Sequence, residues 1–367
     1  GVWIMAYTTI DDPSAHFTTT LYTGNGSDDR SITNSANAGN FKPDWLWVKQ
    51  RNTTRHHILN DSNRGATKNL SSSLTNAEST GADGIQAFET NGFQVGTDTD
   101  VNQNSGTYVA WQWKANGGTT SSNTDGSITS TVQANTTAGF SIVTYTSNNT
   151  EGATFGHGLN SAPEIVIIKG RESADNWPVF NGTSTTNSRS LHLEETAAEI
   201  PVSSYNFWNL YWDETRPSST VVTLGVDAKV NKSGNEGFVA YCFHSVKGYS
   251  KIGKYTGNGN ADGPFIYTGF KPAWVIYKNT SSASNWIIRD NKRTTSGGTN
   301  PNGTVLHPNL SNAESTNDSA TVIDLLSNGF KIRNTENNDN TSGNNYVYMA
   351  FAEHPFVSSK GVPVTAG

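Results

Sequence analysis

The chain has 367 residues, a formal charge of −6 and 15% charged residues, well under the usual quarter. Ten Trp, thirteen Tyr and fifteen Phe exclude a disordered polar chain, because they supply large apolar surfaces for a core. The acidic balance without a basic stripe excludes nucleic acid as a partner, and no run of about 18 apolar residues predicts a membrane span.

Residues 1–20 read as an N-terminal attachment segment. In IDDPSAHF, Asp12 is the expected cap of a short turn, with Pro13 at its first position. A first unit is expected over 21–115. It opens with LYTGNG and continues with KPDWLWVK, LTNAEST and SGTYVAWQW. In DWLWVK, Trp45 and Trp47 point one way and Leu46 and Val48 the other, so this is a strand covered on both sides. Trp111 and Trp113 in the closing strand are expected to be buried. Residues 116–138, beginning NGGTTSSNTDGS, read as a linker. A second unit follows over 139–247, with TYTSNN, APEIVIIK, LEETAAE and SGNEGFVAYCF in the same order. A third, over 248–356, carries KYTGNG, KPAWVIYK, LSNAEST and SGNNYVYMAF, and 357–367 is a polar tail. The fixed motif order places Tyr22, Tyr145 and Tyr255 in equivalent positions.

The repeat is domain-sized, and its period is mostly two. The expected fold class is all-β: three tandem repeated β-sandwich domains of jelly-roll, lectin-like type. Only the acidic segments at 76–80, 197–200 and 312–316 suggest a helical turn. Cys242, the single cysteine, lies in a closing strand and reads as a small buried hydrophobe.

These motifs, together with DSNRGATK, NGFQVG and GYSKIGKYTGNGNADGPFIYTGF, resemble a family of bacteriophage tail-fibre-like proteins. The resemblance covers nearly the whole chain. It implies a location on the virion exterior, a role in host attachment, other tail proteins as partners, and a symmetric homo-oligomer such as a trimer. It transfers no catalytic motif.

Three groups of residues are candidates for binding. The first is YNFWNLYWDE, found in the second unit alone. Trp208, Trp212 and Tyr205 could stack on sugar faces, and Asp213 could accept hydroxyl hydrogen bonds. The alternative is that this insert caps the second sandwich. The second group is the repeated Asp-x-x-Arg, Asp61 with Arg64 and Asp290 with Arg293. An arginine fork beside a carboxylate suits saccharide recognition; a local ion pair is the alternative. The second unit has Asn181 in that place. The third is the oxygen-rich loop at Asp98 and Asp100, a weak calcium candidate. No other cofactor is expected. Glu78, Glu199 and Glu314 recur in every unit, which points to a structural role. The reading is therefore a tail-fibre or adhesin-like protein that binds a bacterial surface glycan. A polysaccharide depolymerase is the alternative, and a structural fibre subunit the second.

Overall fold

A computed structural model describes residues 7–34, 41–184, 190–199, 211–293, 300–316 and 322–364. Among them helix is confined to short turns at Pro13–Ala15, Thr99–Asn102 and Ala228–Asn231, and the rest of the regular structure is strand. The fold is all-β.

The same four-strand order occurs three times. In the first unit it runs Phe17–Thr23, Thr107–Trp113, Trp45–Gln50, Ile58–Asp61. In the second it runs Phe140–Thr146, Gly237–Phe243, Ile165–Gly170, Pro178–Asn181. In the third it runs Ser250–Thr256, Asn345–Pro355, Phe270–Asn279, Ile287–Asp290. All these ladders are antiparallel, and the opening tyrosines share one register. Tyr22 lies opposite Tyr108, Tyr145 opposite Phe238 and Tyr255 opposite Tyr346. Each opening ring stacks on its partner, with centroids 4.9, 5.3 and 4.7 Å apart. Each hydroxyl donates to a main-chain carbonyl, of Val101, Val230 and Asp339 respectively.

Alternation along the strands sends side chains into two different cores. Leu46, Val48, Tyr108 and Ala110 pack under the small sheet formed by Arg30–Thr33, Gly92–Val95 and Ile85–Glu89. The second and third units have their own equivalents of this core. The opposite faces meet one another. Trp45, Trp47, Trp111 and Trp113 share a single buried cluster with Ile165, Ile167, Tyr241 and Phe243 and with Trp274, Ile276, Met349 and Phe351. The expected two-sided strands thus have a neighbouring unit on their second side.

Several expectations need correcting. The first unit begins at Phe17, whose ring stacks on Phe351 at 5.3 Å, so it lies inside the segment assigned to attachment. The stretch read as a linker carries two strands, Ser121–Asn123 and Ser130–Asn135, which extend the second sheet. Ser130–Asn135 pairs along its whole length with Phe140–Thr146, so its polar side chains decorate a ladder. Over their described residues the acidic segments are not helical. Ser, Thr and Asn compete for the backbone there, and the Glu78 N–H is used by another unit, donating to the Arg171 carbonyl at 2.7 Å. Helical turns form instead in the oxygen-rich loops, where Asp98 and Asp227 act as caps. The polar tail folds back, and the Ser359 N–H donates to Asp11 at 2.6 Å.

A shared core predicts shared melting. Trp113 touches Trp45 at 4.5 Å, Trp274 at 5.4 Å and Phe351 at 5.7 Å. Trp113→Ala should cost about 3–5 kcal/mol and lower the melting of all three units together. Calorimetry that showed one unit melting alone would contradict this.

Candidate functional site

The units contact one another head to tail, and the contact closes into a ring. The Glu78 N–H of the first unit donates to the Arg171 carbonyl of the second at 2.7 Å. Glu199 of the second donates in the same way to Thr280 of the third at 3.0 Å, and Glu314 of the third to Arg51 of the first at 2.7 Å. Three junctions therefore share one geometry.

Two of them are sealed by buried charge. At the first–second junction, Arg64 Nε meets Asp61 at 2.5 Å and its Nη1 meets Glu78 at 2.9 Å. Arg171 grips the same Glu78 through Nε and Nη2, both at 2.9 Å, and the Tyr241 hydroxyl donates to Asp61 at 2.7 Å. At the third–first junction, Arg293 meets Asp290 at 2.5 Å and Glu314 at 2.9 Å. Arg51 grips Glu314 at 2.8 and 3.0 Å, and the Trp111 indole donates to Asp290 at 2.9 Å. Burial alone would raise the Glu78 carboxyl; the hydrogen-bonding Arg171 and the nearby Arg64 overturn that and leave it below its ordinary value.

Three equivalent lysines complete the ring. Lys169 Nζ donates to the Thr75 carbonyl of the first unit at 2.9 Å, and Lys278 Nζ to Thr196 of the second at 3.2 Å. Lys49 Nζ donates to the Gln50 carbonyl of its own unit at 2.5 Å. Burial pulls each of the three down to about 8.

The second–third junction is built differently. Asn181 stands where Asp61 and Asp290 stand, opposite Ile165 in the same register. Thr280 takes the place of Arg51 and Arg171. A polar cleft of about 500 Å³ opens there, lined by Asn181, Thr183 and Glu199 on one side and Lys254, Thr280 and Asn345 on the other.

The expected binding residues fall in several places. Asp61, Arg64, Asp290 and Arg293 have fully buried side chains in the junctions. Their charges are spent on one another, which is the ion-pair alternative extended across two units, and no fork faces solvent. Trp212 is 2% exposed and packs edge-on against Phe180 at 5.5 Å, so it closes the second core. Asp213 is half-buried beside Gly152, with a backbone φ of +43°. Tyr205 and Trp208 lie outside the described residues. Asp98 Oδ1 accepts from the Asp100 N–H at 2.8 Å, and Asp100 pairs with Arg55 at 3.4 Å. Burial pushes the Cys242 thiol up to about 12, which suits a core residue.

Two features were not anticipated. His192, Glu194 and Glu195 bring ligand-type atoms within 4.8 Å of one another, the set among the described residues with metal-binding donors. His192 is hydrogen-bonded to Glu195 at 3.0 Å and to the Tyr211 hydroxyl at 3.2 Å, so the cluster also fastens the end of the aromatic insert. The second feature is a pair of exposed rings. Phe265 is 45% and Tyr267 56% exposed, on one face of the edge strand Phe265–Tyr267. The equivalent positions are Ser31 and Thr33 in the first unit and Thr154 and Gly156 in the second. Alignment of GPFIYTGF with those segments could have found them by difference.

Among the described residues no helix is long and apolar enough to cross a membrane. A family model described as a domain of unknown function (DUF7483) matches residues 12–355, so one model spans all three units. No curated protein and no solved structure matches the chain.

Removing one partner of a buried pair strands the other. Arg64→Met should cost about 3–5 kcal/mol, and Arg171→Met less, since that side chain is 25% exposed. Equal costs in urea titrations would contradict the burial argument. The lysines give a pH signature. Unfolded lysine titrates near 10.4, while the folded groups lie at about 8. The unfolded chain therefore binds more protons between these values. Unfolding free energy should rise with pH across that window and be flat with respect to these groups below it. Replacing all three by Gln should flatten the slope between about pH 8 and 10; an unchanged slope would rule these lysines out.

Proposed function

We propose, from the premise that the chain belongs to the DUF7483 family, that it is an attachment head on the exterior of a phage tail, binding a glycan of the bacterial surface. The observation that carries the reading is the exposed pair Phe265 and Tyr267. Neither ring is needed by the scaffold, because the other two units use Ser, Thr and Gly in those places. Flat rings two residues apart on one strand face stack on the apolar C–H faces of sugars. Tyr7 adds a third ring beside them, its hydroxyl donating to the Gly269 carbonyl at 2.9 Å and lying 3.4 Å from the Tyr267 hydroxyl.

The finer fold reading belongs to the same proposal. Each unit is a lectin-like jelly-roll sandwich, supported by first and last strands that pair with one another and by a small sheet over one face. The threefold arrangement implied for a fibre is supplied by three units of one chain. A head-to-tail contact that closes after three steps leaves no free copy of that contact to recruit another subunit. Weak sugar contacts then gain strength from many heads on one virion. The paired-acid chemistry of a depolymerase draws no support from Glu78 and Glu314, each held by two arginines.

A glycan array printed with bacterial surface polysaccharides tests the reading. The wild type should bind, and Tyr267→Ala should bind about tenfold more weakly, the value of a lost stacking contact, with its melting unchanged. An array without signal, or a variant that binds as well as wild type, would overturn it. Light scattering should give the 39.5 kDa mass of one chain.

A further inference from the structure

We propose that His192, Glu194 and Glu195 of the second unit form a binding site for one divalent cation of the zinc class. The site uses none of the residues assigned to sugar, and it stands or falls independently of the attachment reading.

The three units carry this segment at the same distance from the recurrent glutamate. Counting back from Glu78, Glu199 and Glu314, the fourth residue is Leu74, Glu195 and Leu310. The fifth is Ser73, Glu194 and Asn309, and the seventh is Ser71, His192 and His307. What the scaffold needs at the fifth position is visible in two units. The Trp286 N–H donates to Asn309 Oδ1 at 3.0 Å, and the Trp177 N–H donates to Glu194 Oε2 at 3.0 Å. A neutral amide does that work in the third unit, so the scaffold does not require the charge of Glu194. At the fourth position the other two units have leucine, so Glu195 has no counterpart in the scaffold at all.

The three side chains converge. Ligand-type atoms, one from each residue, all lie within 4.8 Å of one another. Asn176 Nδ2 donates to both carboxylates, to that of Glu195 at 2.5 Å, and so gathers two negative charges at one point. Elsewhere the fold holds a part-buried carboxylate with arginine: Glu78 and Glu314 have two each. Among the described residues no Arg or Lys pairs with Glu194 or Glu195, and His192 is the base beside them. Like charges brought this close disfavour one another unless a cation joins them. The His192 side chain is 6% exposed, with Nδ1 3.0 Å from Glu195 and Nε2 3.2 Å from the Tyr211 hydroxyl. In the third unit His307 instead turns Nδ1 to the Trp286 carbonyl, at 2.9 Å. With the Nε2 proton donated to Tyr211, the Nδ1 lone pair faces the carboxylates. A metal-bound imidazole uses that tautomer and that kind of outer contact.

The donor set fixes the cation class. One imidazole nitrogen and two carboxylate oxygens suit zinc, which takes three protein ligands and a water in four-coordinate sites. Calcium and magnesium favour a shell made of oxygen alone. The Glu195 side chain is 40% exposed, which leaves a path for the ion and a place for the water.

The probe is zinc chloride, added to the full chain after metal has been stripped with a chelator. Titration calorimetry should show one equivalent bound, and excess calcium or magnesium should not compete. Nitrogen-15 NMR of the wild type should show the His192 Nδ1 resonance, among those of the eight histidines, moving as that equivalent is added. Glu195→Leu and His192→Ser, each the residue of the first unit, should abolish the calorimetric signal. Tyr211→Phe should weaken binding about tenfold or more, the effect of losing an outer-shell partner. In chelator the two ligand variants should melt with the wild type, and zinc should raise the melting of the wild type but not of those variants. Calorimetry without binding, binding undiminished in both ligand variants, or equal affinity for calcium would overturn the site. If the variants do not fold, the wild-type spectrum decides: a His192 ring that responds to pH but not to zinc overturns the site too.

Discussion

Everything in this molecule depends on the meeting of three sheet faces in one apolar core. A β-strand with apolar residues on both sides must be covered twice. Each unit covers one side with its own small sheet. The other side, bearing Trp45, Trp113, Tyr241, Phe243, Trp274 and Phe351, has only the other units to bury it. A single unit alone would expose a large aromatic surface. The three units are therefore parts of one folding problem, and the span of the family model agrees with that.

Apolar burial brings the faces together but is not directional. The junction networks supply the direction. A buried Arg–carboxylate pair is costly to desolvate and contributes little net stability compared with an apolar replacement. Its value here is geometric. Arg171 meets the Glu78 that Arg64 already holds only if the first and second units are correctly rotated, and Tyr241 reaches Asp61 only in the same arrangement. The order of the units around the ring is thus written in charge, while their cohesion comes from tryptophan and phenylalanine.

Much of this was legible in the residues, and the limits are instructive. Alternation in DWLWVK revealed a strand buried on both faces, because the period of two leaves no other interpretation. The recurrence of a lone Glu marks a structural position, while Asp-x-x-Arg suggests a saccharide fork or a local ion pair, and the partners Arg171 and Arg51 lie in another unit. No local pattern announces a contact between residues 93 positions apart, as Glu78 and Arg171 are. Ser130–Asn135 has the composition of a loop, and its strand character comes from the ladder to Phe140–Thr146. The aromatic insert drew attention by its density, although Trp212 serves the core. Phe265 and Tyr267 carry no sequence signal of their own, because two rings in an edge strand look like ordinary β composition. Only the register against Ser31 and Thr33 shows that the scaffold has no use for them.

The ring of three junctions also has an evolutionary consequence. In an assembly of three identical chains, every substitution enters all three contacts at once, so a change that opens one seam opens them all. Covalent linkage removes that coupling. Here Thr280 stands at one seam while Arg51 and Arg171 pair with glutamates at the other two. A tandem chain can specialise one contact for a new task and hold its shape with the remainder, a freedom that strict symmetry forbids.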